Sequence, residues 1–335
     1  MPSKTRLLDV LHSLKHVRLL VVGDVVADEY LFGSPRRLSR EAPIPILEQT
    51  RHFFLPGGAG NVAQNATALG AAAMIVGTVG DDLAGNALCA ALERSGVDTS
   101  GIIVDSTRYT STKTRIIGGD EQTMPQQVAR IDHIDRTFLQ DGVTDAIAER
   151  SIHLLERADV ALLSDYDIAT ITEPLITAFL PRAQAAGIPV IVDAHDQFAR
   201  FRGIHTATPN QPEAEAELGE SLLTNEQLHQ GAEELTVRMD ARAVLITRGA
   251  LGMALHERGA STHFLPVATY SEVRDATGAG DTAATTYALA IAAGASLLEA
   301  AHLANIAAGV AVCKLGVATV SWSELYQAIA SWKVS

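Results

Sequence analysis

The stretch VRDATGAGDTAATTYALA, Val273 to Ala290, decides how this chain reads. Gly278, Ala279 and Gly280 let the backbone lie against a ligand with almost nothing projecting from it, and the Ala-rich run behind them predicts a helix reaching Gly294. The amides of residues 278–281 then point out of a helix N-terminus. Such a start holds anions through unsatisfied N–H groups and the helix dipole, so charge developing on a phosphoryl group in transfer is its natural guest. Asp281 falls in the first turn, aimed at the same place, although a carboxylate there repels phosphate. Taking the proton of an attacking hydroxyl is the role that fits; the plain alternative is a helix cap. Asp275 stands in the loop before, where a carboxylate with backbone carbonyls holds a cation or merely shapes a turn.

Short runs rich in Val, Ile and Leu recur along the chain: RLLVVGD (18–24), AAMIVGTVG (72–80), DVALLSD (159–165), IPVIVDA (188–194) and AVLITRG (243–249). Alternating with helix-period segments, they predict a buried, mainly parallel sheet with crossover helices, a three-layer α/β/α arrangement. Asp24, Asp165, Asp193 and Arg248 end four of them and would crowd one edge, where open α/β sheets bind their ligands. GNVAQNATALG predicts a helix stopped by Gly70, and NALCAALERSG another ending at Gly96. Two segments, about 29–56 and 107–134, break the rhythm. They read as short edge strands with turns, Pro43 and Pro45 confining theirs to an edge, and predict a small second sheet serving as a lid. No linker or repeat interrupts residues 1–335, so one domain is expected, and the lid's open edges suggest a homodimer.

With 47% hydrophobic residues the chain can bury a large core, and 26 basic against 39 acidic residues, a net charge of −13, argue against nucleic acid or an anionic membrane as partner. Cys89 and Cys313 sit in Ala-rich surroundings without metal spacing, as expected of reduced thiols. No leader-like segment and no run of 18 uninterrupted apolar residues occurs, which predicts a soluble, cytoplasmic protein. GxxxxGK[ST], HExxH and GxSxG are absent, leaving P-loop, zinc-hydrolase and serine-hydrolase readings without support.

PGGAGNVA, Pro56 to Ala63, satisfies GxGxxA through Gly58, Gly60 and Ala63, but EQTRHFF before it is too polar for the buried strand a dinucleotide fold needs. It reads better as a turn whose backbone meets a small hydroxylated ligand, with Asn61 as a polar handle. In TPNQPEAE, Thr208 to Glu215, Asn210 and Glu213 stand three apart as a helix begins. The pair fits hydrated Mg²⁺ with nucleotide phosphates, and it fits a capping box equally well. ITRGALG, Ile246 to Gly252, runs a strand into a glycine turn suited to passing a nucleotide closely.

Together these pieces resemble the ribokinase-like (PfkB) carbohydrate kinases, and among them the heptose-7-phosphate kinases of bacterial lipopolysaccharide biosynthesis. VVGDVVADEY, EAPIP, PGGAGNVAQN, LLSDY, TPNQPE, LITRGALGM, DATGAGDT and ANIAAGVAVCKLGVATV carry the likeness along essentially the whole chain. The resemblance implies a ribokinase-like fold, with Asp281 as catalytic base and Gly278, Ala279 and Gly280 as anion hole. It implies Asp28, Gly57, Gly58 and Asn61 at the sugar. Asn210 and Glu213 would serve Mg²⁺–ATP, Glu213 through water, while Thr247, Gly249, Gly252 and Asn305 would line the nucleotide pocket. Asp275, Thr277, Ala311 and Gly316 match a monovalent-cation site suited to K⁺. Lys113, Arg115, Arg130 and Asp132 fall in a basic lid segment.

The chain also departs from those kinases. They read Ser-Asp-Tyr-Ala-Lys-Gly where this chain has SDYDIAT, and Asp-Pro-Lys where it has Asp193-Ala194-His195; Arg40 replaces a proline before Glu41. Two crevice lysines are thus missing, with His195, Arg36, Arg37 and Arg40 as partial replacements. The adenylyltransferase half that some heptose kinases carry is not expected here. The reading is an ATP-dependent kinase for a hydroxyl of a sugar or sugar phosphate. A kinase of another sugar, nucleoside or small alcohol stands second, and a sugar-binding regulatory relative third.

Overall fold

The computed structural model describes residues 2–119, 125–268 and 273–332, so residues 120–124 of the expected lid segment lie outside the described residues. A nine-stranded sheet forms the centre, built from β1 (Arg18–Gly23), β4 (Ala72–Gly80), β5 (Asp98–Asp105), β8 (Val160–Asp165), β9 (Val190–Ala194), β10 (Thr206–Ala207), β11 (Ala243–Thr247), β12 (Met253–Glu257) and β13 (His263–Leu265). The spatial order is β13-β12-β11-β10-β9-β8-β1-β4-β5. From β5 to β11 every neighbour is parallel, and β12 and β13 close the far edge antiparallel.

Uninterrupted apolar runs suit this sheet because both of its faces are covered. Leu19 and Val21 of β1 point into one core with α1 (Lys4–Ser13), α2 (Ala59–Ala68), α3 (Leu83–Arg94), α8 (Ala279–Ala292), α9 (Leu297–Ala311) and α10 (Trp322–Ser331). Leu20 and Val22 point into the other, against α4 (Asp141–Leu155), α5 (Glu173–Ala186), α6 (Gln211–Leu218) and α7 (Asn225–Arg238). Three layers result, as the sequence leads one to expect.

The chain winds outward from β1 in one direction through β4 and β5, then in the other through β8 to β11. This puts the reversal between β1 and β8, and a crevice opens outside the carboxyl ends of strands at such a point. Only Asp24 separates β1 from β2 (Val25–Leu38), which runs out of the central sheet into a second one. There β2 pairs antiparallel with β3 (Pro45–Gly58) and parallel with β6 (Thr112–Gly118), and β6 pairs with β7 (Gln126–His133). The expected small second sheet is therefore present, but its strands are not the short ones expected. β2 and β3 are 14 residues each, and register shifts at Phe32/Gly33 and Pro35/Arg37 broke the alternation that would have revealed their length. Pro45 opens β3, an edge strand, as anticipated.

Asp24 ties this junction to the crevice. Its carboxylate accepts the amides of Tyr166 (2.7 Å), Ile168 (3.1 Å) and Thr170 (3.0 Å), so it is spent on holding the loop after β8. That loop needs holding, because Asp167 and Ala169 adopt φ of 58° and 73°. Alanine in the left-handed region costs about 1–2 kcal/mol, and here it stands where the resembling kinases have glycine. Replacing Ala169 by glycine is expected to raise unfolding free energy by about 0.5–1 kcal/mol, strain relief exceeding the entropy glycine adds to the unfolded chain. A urea titration showing no gain would contradict this account of the loop.

Candidate active site

The N-terminus of α8 opens onto the crevice. Gly278 is its N-cap at φ 77°, and a Cβ there would come within 2.8 Å of the Asn61 side chain, so glycine is required for both backbone and space. A Cβ at Gly280 would meet no described atom within 4 Å, which leaves open room in front of the turn. Among the described residues, no backbone or side-chain acceptor takes the amides of Gly280 or Asp281. These orphan donors beside open space fit an anion.

Asp281 lies at the foot of this turn, 5% exposed, and does not cap the helix. The Asn61 side-chain amide donates to its Oδ2 at 2.6 Å, and the Tyr166 hydroxyl donates to its Oδ1 at 2.7 Å. Burial pushes the Asp281 carboxyl above the ordinary carboxylate range, and these two hydrogen bonds offset that only in part. Asn61 is itself oriented, because Asn65 donates to its Oδ1 at 3.1 Å and to its carbonyl at 3.0 Å. Asn61 was expected at the ligand; the fold turns its amide onto the Asp281 carboxylate.

Gly58 has φ 55° and caps α2, and the next amide, that of Ala59, donates to the Asp24 carbonyl at 2.9 Å. At Gly57 a Cβ would collide with Asp28 Oδ2, so the missing side chain lets Asp28 lie flat over β3. Asp28 and Arg115, both buried, form an ion pair across β2 and β6. Arg130 is occupied by Asp132 at 2.8 Å on exposed β7. Lys113 extends from β6 over the Tyr166 ring, its Nζ 4.9 Å from the centroid.

At the opposite rim, Asn210 and Glu213 form a complete capping box on α6: Asn210 Oδ1 accepts the Glu213 amide (2.9 Å) and Glu213 Oε2 accepts the Asn210 amide (2.7 Å). The remaining Glu213 oxygen bonds His195 Nδ1 at 2.8 Å, raising the His195 pKa, while the His195 ring stands edge-on to Tyr166 at 4.4 Å. Asn210 also bridges to Thr247 at the end of β11. Gly249, φ 53°, faces space free of described atoms, whereas Gly252 is needed because a Cβ would strike the Leu265 carbonyl and Pro266. Asn305 donates to the Pro266 carbonyl at 2.7 Å and so fixes the rim behind Gly252.

Asp275 joins two loops. It accepts the Thr277 amide (2.9 Å) and hydroxyl (2.7 Å) on one oxygen and the Gly316 amide (2.9 Å) on the other. Burial pushes its pKa up, but those donors outweigh it and hold the carboxyl below its usual range. The Ala311 carbonyl takes the Lys314 amide at the end of α9.

Of the strand-end residues, Asp165 pairs with Arg200 and sits against Asp24, with its pKa pushed up to about 6 by burial and then by Asp24; Arg248 reaches Gln211 at 3.4 Å. Asp193 feels the negative charge of Asp281. Ile168, where a crevice lysine was missing, is buried. Tyr166 is the site residue the sequence did not single out; its one signal is a tyrosine following the strand that ends at the reversal point.

Residues 18–324 match the model of the pfkB family of carbohydrate kinases. The chain belongs to that family. Among curated relatives, the bifunctional protein HldE of Pelobacter propionicus is 39% identical over 96% of this chain and 65% of its own length, and that of Caulobacter sp. strain K31 is 44% identical over 92% and 62%. This pfkB-family chain thus spans less than two thirds of the length of these relatives. Arabidopsis thaliana ribokinase, solved with ribose and ATP, superposes with a TM-score of 0.72 at 21% identity, covering 93% of this chain and 98% of that one. Phosphofructokinase-2 from Escherichia coli, solved with fructose-6-phosphate, gives 0.76 at 19%, covering 94% and 98%. The fold is ribokinase-like. Among the described residues no helix is long and apolar enough to cross a membrane.

Burial, then the neighbouring Asp281 charge, pushes Asp193 up to about 7. Its folded pKa lies above the unfolded value near 3.8, so the folded state keeps a proton that the unfolded chain releases, and stability falls as pH rises from about 4 to 7. Asp193→Asn is expected to flatten that decline by on the order of 1 kcal/mol per pH unit in urea unfolding without ligands. Parallel slopes for the two proteins would refute it.

Proposed function

We propose that this chain is an ATP-dependent kinase that phosphorylates a hydroxyl of a sugar phosphate of the heptose 7-phosphate class. One observation carries the reading: a buried carboxylate, bonded on both oxygens, lies in the turn whose free amides face open space at Gly280. ATP supplies the electrophilic phosphorus and Mg²⁺ neutralises its phosphate charge. Asp281 accepts the proton of the acceptor hydroxyl, and the amides of residues 278–281 hold the charge that develops on the transferred group.

Asp28, steadied by Arg115, presents its Oδ2 beside Gly57 to sugar hydroxyls, with Gly58 and Asn61 completing that wall. Lys113 gives the lid positive charge for an anionic acceptor, while Arg115 and Arg130, paired with Asp28 and Asp132, would meet its phosphate only by sharing or exchanging those carboxylates. On the nucleotide side, Asn210 and Glu213 are proposed to meet hydrated Mg²⁺ through water, both carboxylate oxygens being engaged already. Thr247, Gly249, Gly252 and Asn305 shape the adjoining rim. A monovalent cation at Asp275, Thr277, Ala311 and Gly316 and a homodimer through the lid belong to the same proposal; Val128 and Ile131 on β7 are 52% and 56% exposed and supply an apolar surface for a second copy. A cytoplasmic location follows from these substrates.

ADP release measured over a panel of sugar phosphates, free sugars and nucleosides tests the acceptor class. A heptose 7-phosphate is expected to give the highest kcat/KM. Free sugars or nucleosides turning over faster would replace the acceptor, and a raised melting temperature without turnover would favour a binding protein. Asp281→Asn is expected to lower kcat by about 10²- to 10⁴-fold with little change in KM for ATP.

A further inference from the structure

We propose that Tyr166 is a positioning residue for phosphoryl transfer, its hydroxyl fixing the rotation of the Asp281 carboxylate so that a free lone pair meets the acceptor hydroxyl. The inference rests on Asp281 being the base. Tyr166 is pinned at two ends: its amide donates to Asp24 Oδ2 at 2.7 Å, and its hydroxyl donates to Asp281 Oδ1 at 2.7 Å. The backbone between β8 and α5 that presents it carries two residues, Asp167 and Ala169, in the left-handed region, held there by the other amides bonded to Asp24. Backbone strain that the surroundings enforce at a site is commonly what aims a side chain.

Tyr166 works as a donor only. Burial and the neighbouring Asp281 charge raise its pKa well above that of a free phenol, so the hydroxyl stays protonated and directs its hydrogen at the carboxylate. Asn61 fixes the other oxygen from α2, and the carboxylate plane is thereby set by two donors from opposite walls of the crevice. Each oxygen retains a second lone pair for substrate. The Tyr166 ring is wedged in turn, with Lys113 of the lid over its face at 4.9 Å and His195 at its edge at 4.4 Å. A tyrosine that only filled space would need neither contact with the reacting carboxylate nor an anchored amide.

Tyr166→Phe keeps the ring and its two neighbours and removes one donor. Kcat is expected to fall roughly 10- to 100-fold, with KM for ATP and for the sugar phosphate within about threefold, because the loss is orientation and not binding. The acid limb of the kcat profile should also move to higher pH. The hydroxyl favours the ionised carboxylate, so without it Asp281 protonates more readily. Asp28 presses that pKa upward and His195 downward in both proteins, and Asp193, whose own pKa the Asp281 charge raises, is the same in both, so the difference reports the hydroxyl. In an Asp281→Asn background the same Phe substitution should cost nothing further, since its target is gone.

Wild-type kcat with an unmoved acid limb, a rise in KM with kcat kept, or an equal loss in the Asn background would each overturn the proposal. An inactive Asp281→Asn beside a fully active Tyr166→Phe refutes this inference alone. An Asp281→Asn that keeps kcat removes the base assignment and this inference with it.

Discussion

The site depends on burying a negative charge at the start of a helix whose amides at Gly280 and Asp281 have no acceptor among the described residues. Asp281 tolerates that place because α8 brings it under two neutral donors, Asn61 and Tyr166, which support its ionised form while leaving the amide turn itself free. A lysine or arginine in direct contact would do the same electrostatically, but it would hold the carboxylate far more firmly in its charged form. Neutral clamps leave the Asp281 carboxyl raised above its ordinary range, as burial dictates, and still aligned.

Much of the architecture serves this one contact. Asn61 is delivered by the helix that follows β3, and Asn65 one turn later holds its amide in the correct sense while also accepting from Thr282 of α8 at 3.2 Å and from the Val320 amide at 3.1 Å. Helices α2 and α8 are thereby locked together where their N-termini converge. Tyr166 comes from the opposite side of the reversal point, and Asp24, between β1 and β2, anchors its amide. Side chains from three distant parts of the chain thus meet within hydrogen-bonding distance on one carboxylate.

What was legible in the sequence follows the range of the forces involved. Five of the parallel strands could be read because burial on both faces makes each a continuous apolar run, and the helix after Gly278 because its glycines and Ala-rich body are local signals; β5, DTSGIIVD on the edge of the sheet, is half-buried and too polar to read that way. β10, with two residues, and β13, with three, are too short to leave a pattern, and β12, MALHE, is broken by a histidine and a glutamate instead of running continuously apolar. The lid was visible as a break in rhythm, but its bulges concealed 14-residue strands. At the site, the capping box at Asn210 and Glu213 was one of two readings from spacing, and the fold shows that box, with the proposed Mg²⁺ role left to water. Asn61 on Asp281 and Tyr166 on Asp281 span 220 and 115 residues of chain, and no window of local sequence carries such a pairing.

The lid has a mechanical peculiarity. It is no flap on a flexible tether: one strand leaves the central sheet and becomes the other sheet with a single residue between them. That residue is Asp24, whose carboxylate also grips the segment bearing Tyr166, so the junction of the two sheets and the anchor of the loop after β8 are one and the same hinge pin.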